Sequence, residues 1–394
     1  MRVRPLKAGL ATGLVLLVST QLSHAIDADD FAKKFVAAYA SGGMTLEYSG
    51  ISEDGDNLTL QGIRIGMDGE PEALDLGDLA FNGVSEDGSG GYLVARVTKD
   101  SIAYSSEEAS FSLSDLVINN LKIPAEVKME TLDDVLWYDS ASTGPLVVTF
   151  EETDVFKMAS STTSVTRTSD DSQMDFQVRM DGLGIDLSMV EDGQAKQAID
   201  NMGYDFVSGD LVINGSWAPP TGELTLNRYA LTLNDVGRLD LQFSISGYTL
   251  EFVQGLQKLQ QQMASADEKA QQAMGLAALG MMQQLTFNSL SLRFDDASLT
   301  NKVLDMVAGQ QGMTRDQMVQ GLQGMLPFAL AQLQNPEFQQ RVSEAVGVYL
   351  SDPKNIEISA RPSGPMPFAS LAGAAMTAWQ SLPEMLNVQV MANQ

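Results

Sequence analysis

The 394-residue chain has no cysteine, and its one histidine, His24, sits among the first 25 residues. Without a thiol there is no disulfide, no Fe–S cluster and no cysteine nucleophile. Without a histidine beyond residue 24, a His-based triad and an ordinary zinc site are excluded from the rest of the chain. Carboxylate chemistry and hard-cation binding survive that cut. Positive charge is also scarce, with 24 Lys and Arg against 51 Asp and Glu and a net charge of −27. A field of that sign repels phosphate, so nucleic acid and unaided binding to anionic headgroups are disfavoured. No run approaches the roughly 20 apolar residues of a membrane-spanning helix, and no permanent transmembrane anchor is expected. No GxxxxGK[ST] loop or strand-embedded GxGxxG is present to cradle a nucleotide.

What is there begins with MRVRPLKAGLATGLVLLVSTQLSHA. Arg2, Arg4 and Lys7 precede an apolar run from Ala8 to Val18, and Ser23-His24-Ala25 supplies small residues on either side of one larger one. That order is expected of an export signal cut after Ala25, delivering the remainder to the periplasm. Cutting there leaves 21 basic against 51 acidic residues, a balance of −30. With no disulfide to help, the exported part must rest on its own core, which its length can supply.

Residues Asp27 to Gly43 read as a short helix, with Phe31, Phe35, Val36 and Tyr39 on one face and Gly42-Gly43 as the stop. From Met44 to about Gly247 the texture becomes strands of five to ten residues between turn formers such as SEDG, MDGEP, RTSDDS and APPTG. A short helix is expected near 191–202. Several strands share an oddity. In LTLQGIRI (Leu58 to Ile65) the apolar alternation slips by one residue at Gln61-Gly62 and then resumes. The same spacing returns in LDLGDLAF, FSLSDLVI, LTLNRYAL and LTFNSLSL. One inserted residue flips the pleat, so the apolar side chains return to one face only where a β-bulge absorbs it. The competing reading makes each slip a tight connection between two short strands. GRLDLQFSISG has no slip: Leu239, Leu241, Phe243 and Ile245 share one face and polar residues the other, the mark of an antiparallel sheet covered on one side.

Past Tyr248 the periodicity turns helical. Phe252, Leu256, Leu259 and Met263 recur at helical spacing, and Met274 to Met282 is apolar around most of its circumference. Helices are expected near 299–308, 314–333 and 336–350, with Thr314 and Gln317 as a capping box, Asn335-Pro336 as a start, and Pro327 kinking or dividing the second. Strands near 355–360 and 385–390 and a helix near 368–380 close the chain. Twelve of the 21 methionines lie from Met263 onward, where flexible thioethers suit either core packing or an adaptable greasy surface.

The acidic turns lack the ligand spacing of a calcium loop and read as hairpin turns. Asp133-Asp134 beside Trp137 and Tyr138 is the one local acid pair with the look of a carboxylate hydrolase site. The recurring apolar-x-apolar-x-x-apolar-x-apolar segments, with Gly, Ser, Asp or Asn in the gap, resemble those of AsmA-like and related β-rich proteins of Gram-negative envelopes. The resemblance spans about 200 residues. It implies a periplasmic protein whose curved sheet presents an apolar lining to lipid tails; the helical last third departs from it.

The expected fold is α+β: a cleaved segment 1–25, a short helix plus β-rich meander over 26–247 forming a long curved antiparallel sheet, and a helix-rich region over 248–394 packed on or beside it. The expected function is a non-enzymatic envelope protein, without cofactor or metal, that shelters a lipid or acyl chain. The candidate contact residues are Leu239, Leu241, Phe243, Ile245, Met274, Leu276, Leu279, Met281 and Met282. The alternatives are an interaction protein that docks an envelope partner through an acidic face, and the carboxylate hydrolase.

Overall fold

The computed structural model describes residues 26–394 except 41–43, 68–72, 129, 265–274 and 276. The expected export signal, most of the MDGEP turn, Met274 and Leu276 therefore lie outside the described residues. The strands are β1 (Met44–Glu47), β2 (Gly50–Asp54), β3 (Asn57–Met67), β4 (Leu74–Glu86), β5 (Tyr92–Ser105) and β6 (Ala109–Ile123), then β7 (Ser140–Thr143), β8 (Leu146–Phe150), β9 (Thr153–Met158), β10 (Ser160–Arg167), β11 (Met174–Asp186) and β12 (Phe206–Ala218). They continue with β13 (Glu223–Leu233), β14 (Gly237–Ser246), β15 (Thr286–Asp296), β16 (Asn355–Ala360), β17 (Met366–Pro367) and β18 (Val388–Ala392).

All 18 join one antiparallel sheet in which most strands pair with a strand next to them in the chain. Four ladder positions are each filled by two short strands placed end to end: β1 and β2 on β3, β7 and β8 on β6, β9 and β10 on β11, and β16 and β17 on β15. The sheet is thus about fourteen positions wide, roughly 60 Å at the usual strand spacing. It also crosses the compositional change at residue 248, since β14 and β15 pair from Gly237↔Asp296 to Ser246↔Thr286.

Four of the five slips are bulges. Register shifts fall between Leu60 and Ile63, between Leu226 and Tyr229, and between Ser244 and Ile245 opposite Asn288. Gly62 and Gly77, at φ +59° and +65°, take the left-handed conformation that a glycine adopts without strain. In FSLSDLVI, Asp115 is left-handed at φ +54°, but β5 and β6 hold their register across it. A further bulge at Asp181-Gly182 in β11 follows the same pattern. Several bulge amides find a side-chain acceptor on the adjoining strand: Gly62 N–H donates to Asp78 Oδ1 at 3.0 Å and Gly182 N–H to Asp210 Oδ1 at 3.0 Å. Part of the acidic content is therefore structural, because a short carboxylate satisfies the amide that a bulge leaves out of the ladder.

Helix α1 (Ala28–Ala40) starts where Asp30 N–H donates to Asp27 Oδ1 at 2.9 Å. It lies on β3 to β6 and closes the best-packed core of the molecule, where Phe31, Leu60, Ile63, Phe81 and Ile123 are fully buried. Phe81 meets Phe31 and Phe35 edge-on, with ring centroids 5.1 and 5.0 Å apart. Helix α2 (Gly193–Met202) is capped by Asp192 and stopped by Gly203 in the left-handed region. After α3 (Leu250–Ala264) come α4 (Leu299–Gln310), α5 (Arg315–Leu330), α6 (Pro336–Ser351) and α7 (Phe368–Thr377). The Thr314–Gln317 capping box and the Asn335 cap form as expected. Pro327 does not divide α5, which runs on through it to Leu330. The last strand begins at Val388, because residues Leu382–Met385 form a helical turn. The class is α+β, with most helices in the C-terminal part.

Candidate functional site

Residues directly opposite in neighbouring strands share a face, so the register tells which side chains form rows across the sheet. One such row starts at Leu58 and passes to Phe81, Val97, Ile118, Ala141 and Thr163. From Thr163 it continues through Val178, Ile213, Tyr229 and Leu241 to Leu292, Ile358 and Val390. Thirteen strands contribute, and Thr163 and the Tyr229 hydroxyl bring the polar atoms. Over β11 to β18 two parallel rows flank it. One holds Phe176, Gly215, Leu226, Phe243, Leu290, Ala360 and Val388, and the other Met180, Leu211, Leu231, Leu239, Phe294, Ile356 and Ala392. At Gly215 a Cβ would stand 2.3 Å from the Phe176 ring, so glycine there lets the ring lie against the sheet.

The bulges keep these rows on one face. Leu226 and Tyr229 are three residues apart, as are Phe287 and Leu290, yet each pair faces alternate residues of β14. Without the extra residue, half of each strand would turn its apolar side chains to the opposite surface.

Helices cover this face unevenly. Under α1, Leu58, Phe81 and Val97 are 1% exposed or less. Near the other end, α6 packs Ala345 and Tyr349 on Phe294, Ile356 and Ala392. Tyr204 and Val236 cover Ile185 and Val207 where α2 meets α4. Between these roofs, from Ile118 to Leu241, the row is half-buried, and Leu292 and Ile358 are 40% and 45% exposed. The stretch from Ala141 to Leu292 is roughly 30 Å long at the usual strand spacing.

The opposite face is polar and internally bonded. Thr225 Oγ1 donates to Ser244 Oγ, Asn288 Nδ2 to Ser246 Oγ at 2.8 Å, and Ser291 Oγ to Glu357 Oε1 at 2.9 Å. Arg293 bridges Asp295 at 2.8 Å and Glu357 at 3.7 Å. An open depression of about 480 Å³ lies over β7 and β10 to β12, lined mainly by side chains of this polar face such as Ser142, Thr162, Gln177 and Asn214. The apolar face is a strip rather than an enclosed cavity.

Of the candidate contact residues, Leu239, Leu241 and Phe243 stand in the rows above, opposite Phe294, Leu292 and Leu290, and Ile245 shares their face opposite Phe287. Leu279 and Met282 are 60% and 42% exposed, and Met281 is half-buried against Gly255 of α3. Val178, Ile213 and Ile358 were not singled out from the sequence. The alternation in DFQVRM, LVINGSW and NIEISA carries them, but nothing local says which residues they face. The acid pair separates into two structural roles. Asp133 accepts from Lys122 Nζ at 2.5 Å and Arg167 at 3.3 Å, and these cations hold its carboxyl below the usual range. Asp134 accepts from the amides of Glu130 and Thr131. A general acid needs a raised value, and Asp133 is held the other way. Among the described residues no group of three or more acidic, His or Cys side chains is placed to hold a metal ion, and no helix is long and apolar enough to cross a membrane.

Fold and surface together define a wide amphipathic β-meander with one bonded polar face and one apolar face roofed at its ends. A family model described as an uncharacterized protein matches residues 230–393, less than half of the chain. No curated protein matches.

Proposed function

We propose that this is a non-enzymatic, exported protein of the periplasm that shelters an acyl chain or lipid tail along the open part of its apolar face. The observation that carries the reading is the unbroken row from Leu58 to Val390, buried under α1 and left half-exposed from Ile118 onward. Contiguous apolar surface of this extent on a soluble chain is costly in water and marks a binding surface. A hydrocarbon chain has no polar group to satisfy, so a strip lined by Val, Ile, Leu and Phe suits it, and each methylene it buries contributes about 0.8 kcal/mol. The export signal read in the first 25 residues and the likeness of the bulged strands to AsmA-like proteins support the same direction.

The test is native mass spectrometry and lipid extraction of protein purified from the periplasm, followed by titration with a fluorescent fatty acid. Co-purified lipid and saturable uptake, both lost in Leu241→Asp, are expected. Protein that is empty and takes up no probe refutes the reading. It would favour an interaction protein that docks an envelope partner through the acidic polar face, recognised by salt-dependent association without lipid.

A further inference from the structure

One residue in five of this chain is charged, 19% in all, yet three stretches carry no Asp, Glu, Lys or Arg: 270–292, 317–336 and 362–383. The four most exposed large apolar side chains among the described residues fall within them: Met376 (87%), Phe328 (81%), Met325 (69%) and Leu279 (60%). Leu322, Met325 and Phe328 follow one another at a spacing of three along α5, and Trp379 is 42% exposed just past α7.

The fold brings the three stretches to one end of the sheet. Phe368 N–H, at the start of α7, donates to Leu285 O at 3.1 Å, which ties the third stretch to the first. An open hollow of about 840 Å³ between Gln334-Asn335 and Gln380-Ser381 ties the third to the second. This is the end where β16 finishes and β18 begins, since Ala360 pairs with Val388. The charges that line or adjoin the hollow, Glu337, Arg341, Arg361 and Glu384, sum to zero.

From this we infer that the neutral, greasy end of the sheet docks on the surface of a lipid bilayer without net charge, inserting Met325, Phe328 and Met376 at headgroup depth. Elsewhere the excess of 51 acidic over 24 basic residues opposes approach to an anionic surface. This end is the region where that repulsion is missing and where exposed Phe, Met and Trp can partition into the interface. It is also continuous with the site, because the row of Phe243, Leu290, Ala360 and Val388 runs out at the same end. The inference rests on the carrier reading for its purpose, but on different residues for its evidence.

The experiment is flotation of the purified protein with phosphatidylcholine vesicles, with and without phosphatidylglycerol, beside fatty-acid uptake from solution. The wild type is expected to float with the neutral vesicles and less with the anionic ones. Phe328→Asp combined with Met376→Asp should reduce flotation at least tenfold, with melting temperature and uptake unchanged because both side chains are exposed. No flotation of the wild type, equal flotation of the variant, or a dimer that the variant dissociates while vesicles are ignored would each overturn it. Flotation without fatty-acid uptake leaves docking in place and refutes the carrier reading alone.

Discussion

Truncating two side chains of the same row, Phe81 and Leu292, should have opposite consequences, because α1 roofs one and leaves the other open. Phe81 is fully buried between the rings of Phe31 and Phe35 at 5.1 and 5.0 Å. Phe81→Ala leaves a cavity that the two neighbouring rings cannot fill, and should cost about 3–5 kcal/mol. Leu292 is already 40% exposed. Full burial of a leucine is worth about 1.5–3 kcal/mol, so Leu292→Ala forfeits about 1 kcal/mol and leaves no closed void. For ligand binding the order reverses. Phe81 touches α1 and not the open strip, whereas losing about 1 kcal/mol of contact at Leu292 weakens an acyl chain roughly fivefold. Urea unfolding followed by tryptophan fluorescence, with fatty-acid titration of each variant, measures both quantities. If Leu292→Ala destabilises as much as Phe81→Ala, the open strip is a packed core and the reasoning fails.

Other outcomes follow from the same structure. Leu241→Asp should abolish fatty-acid uptake and cost at least the ~1 kcal/mol of Leu292→Ala, since its site is half-buried and the new side chain is charged. Gly182→Val should cost about 1–2 kcal/mol for a left-handed non-glycine residue at φ +63°, and more because its Cβ would stand 2.8 Å from Ala159 Cβ; Asp210→Ala, which strips the acceptor from the same amide, should cost about 0.5–1.5 kcal/mol in the same assay. The Asp30 carboxyl is held below its ordinary value by its hydrogen bond from Lys34, helped by Tyr92. Its contribution is therefore present above about pH 4 and lost as pH falls through the folded value, so Asp30→Asn should flatten the acid limb of the stability curve. Burial, then Asp30, push the Tyr92 hydroxyl up. That contribution is complete below about pH 10 and declines as pH rises further, and Tyr92→Phe should remove the decline in urea midpoints measured to about pH 11.

Local chemistry made much of this architecture readable. The bulges were visible as slips at Gly62, Gly77 and Asn288, because a pleat of period two cannot hide one extra residue. Helix starts at Thr314 and Asn335 were legible for a similar reason, since the first free amides need an acceptor within three residues.

Tertiary structure alone decided what faces what. Leu241 announces an apolar face by its spacing, but that it continues Tyr229 and Leu292 in a row of thirteen strands depends on pairing across separate hairpins. It decided also that α1 and α6 roof the ends of that row while the middle stays open, and that Asp133 is neutralised by Lys122 and Arg167, 11 and 34 residues away. Leu279 sits in a run apolar around most of its circumference, yet it is 60% exposed, because burial depends on which elements arrive beside it. Spacing within a strand or helix is set by backbone sterics a few residues long. Register and coverage are set by contacts between segments far apart, which no local pattern encodes.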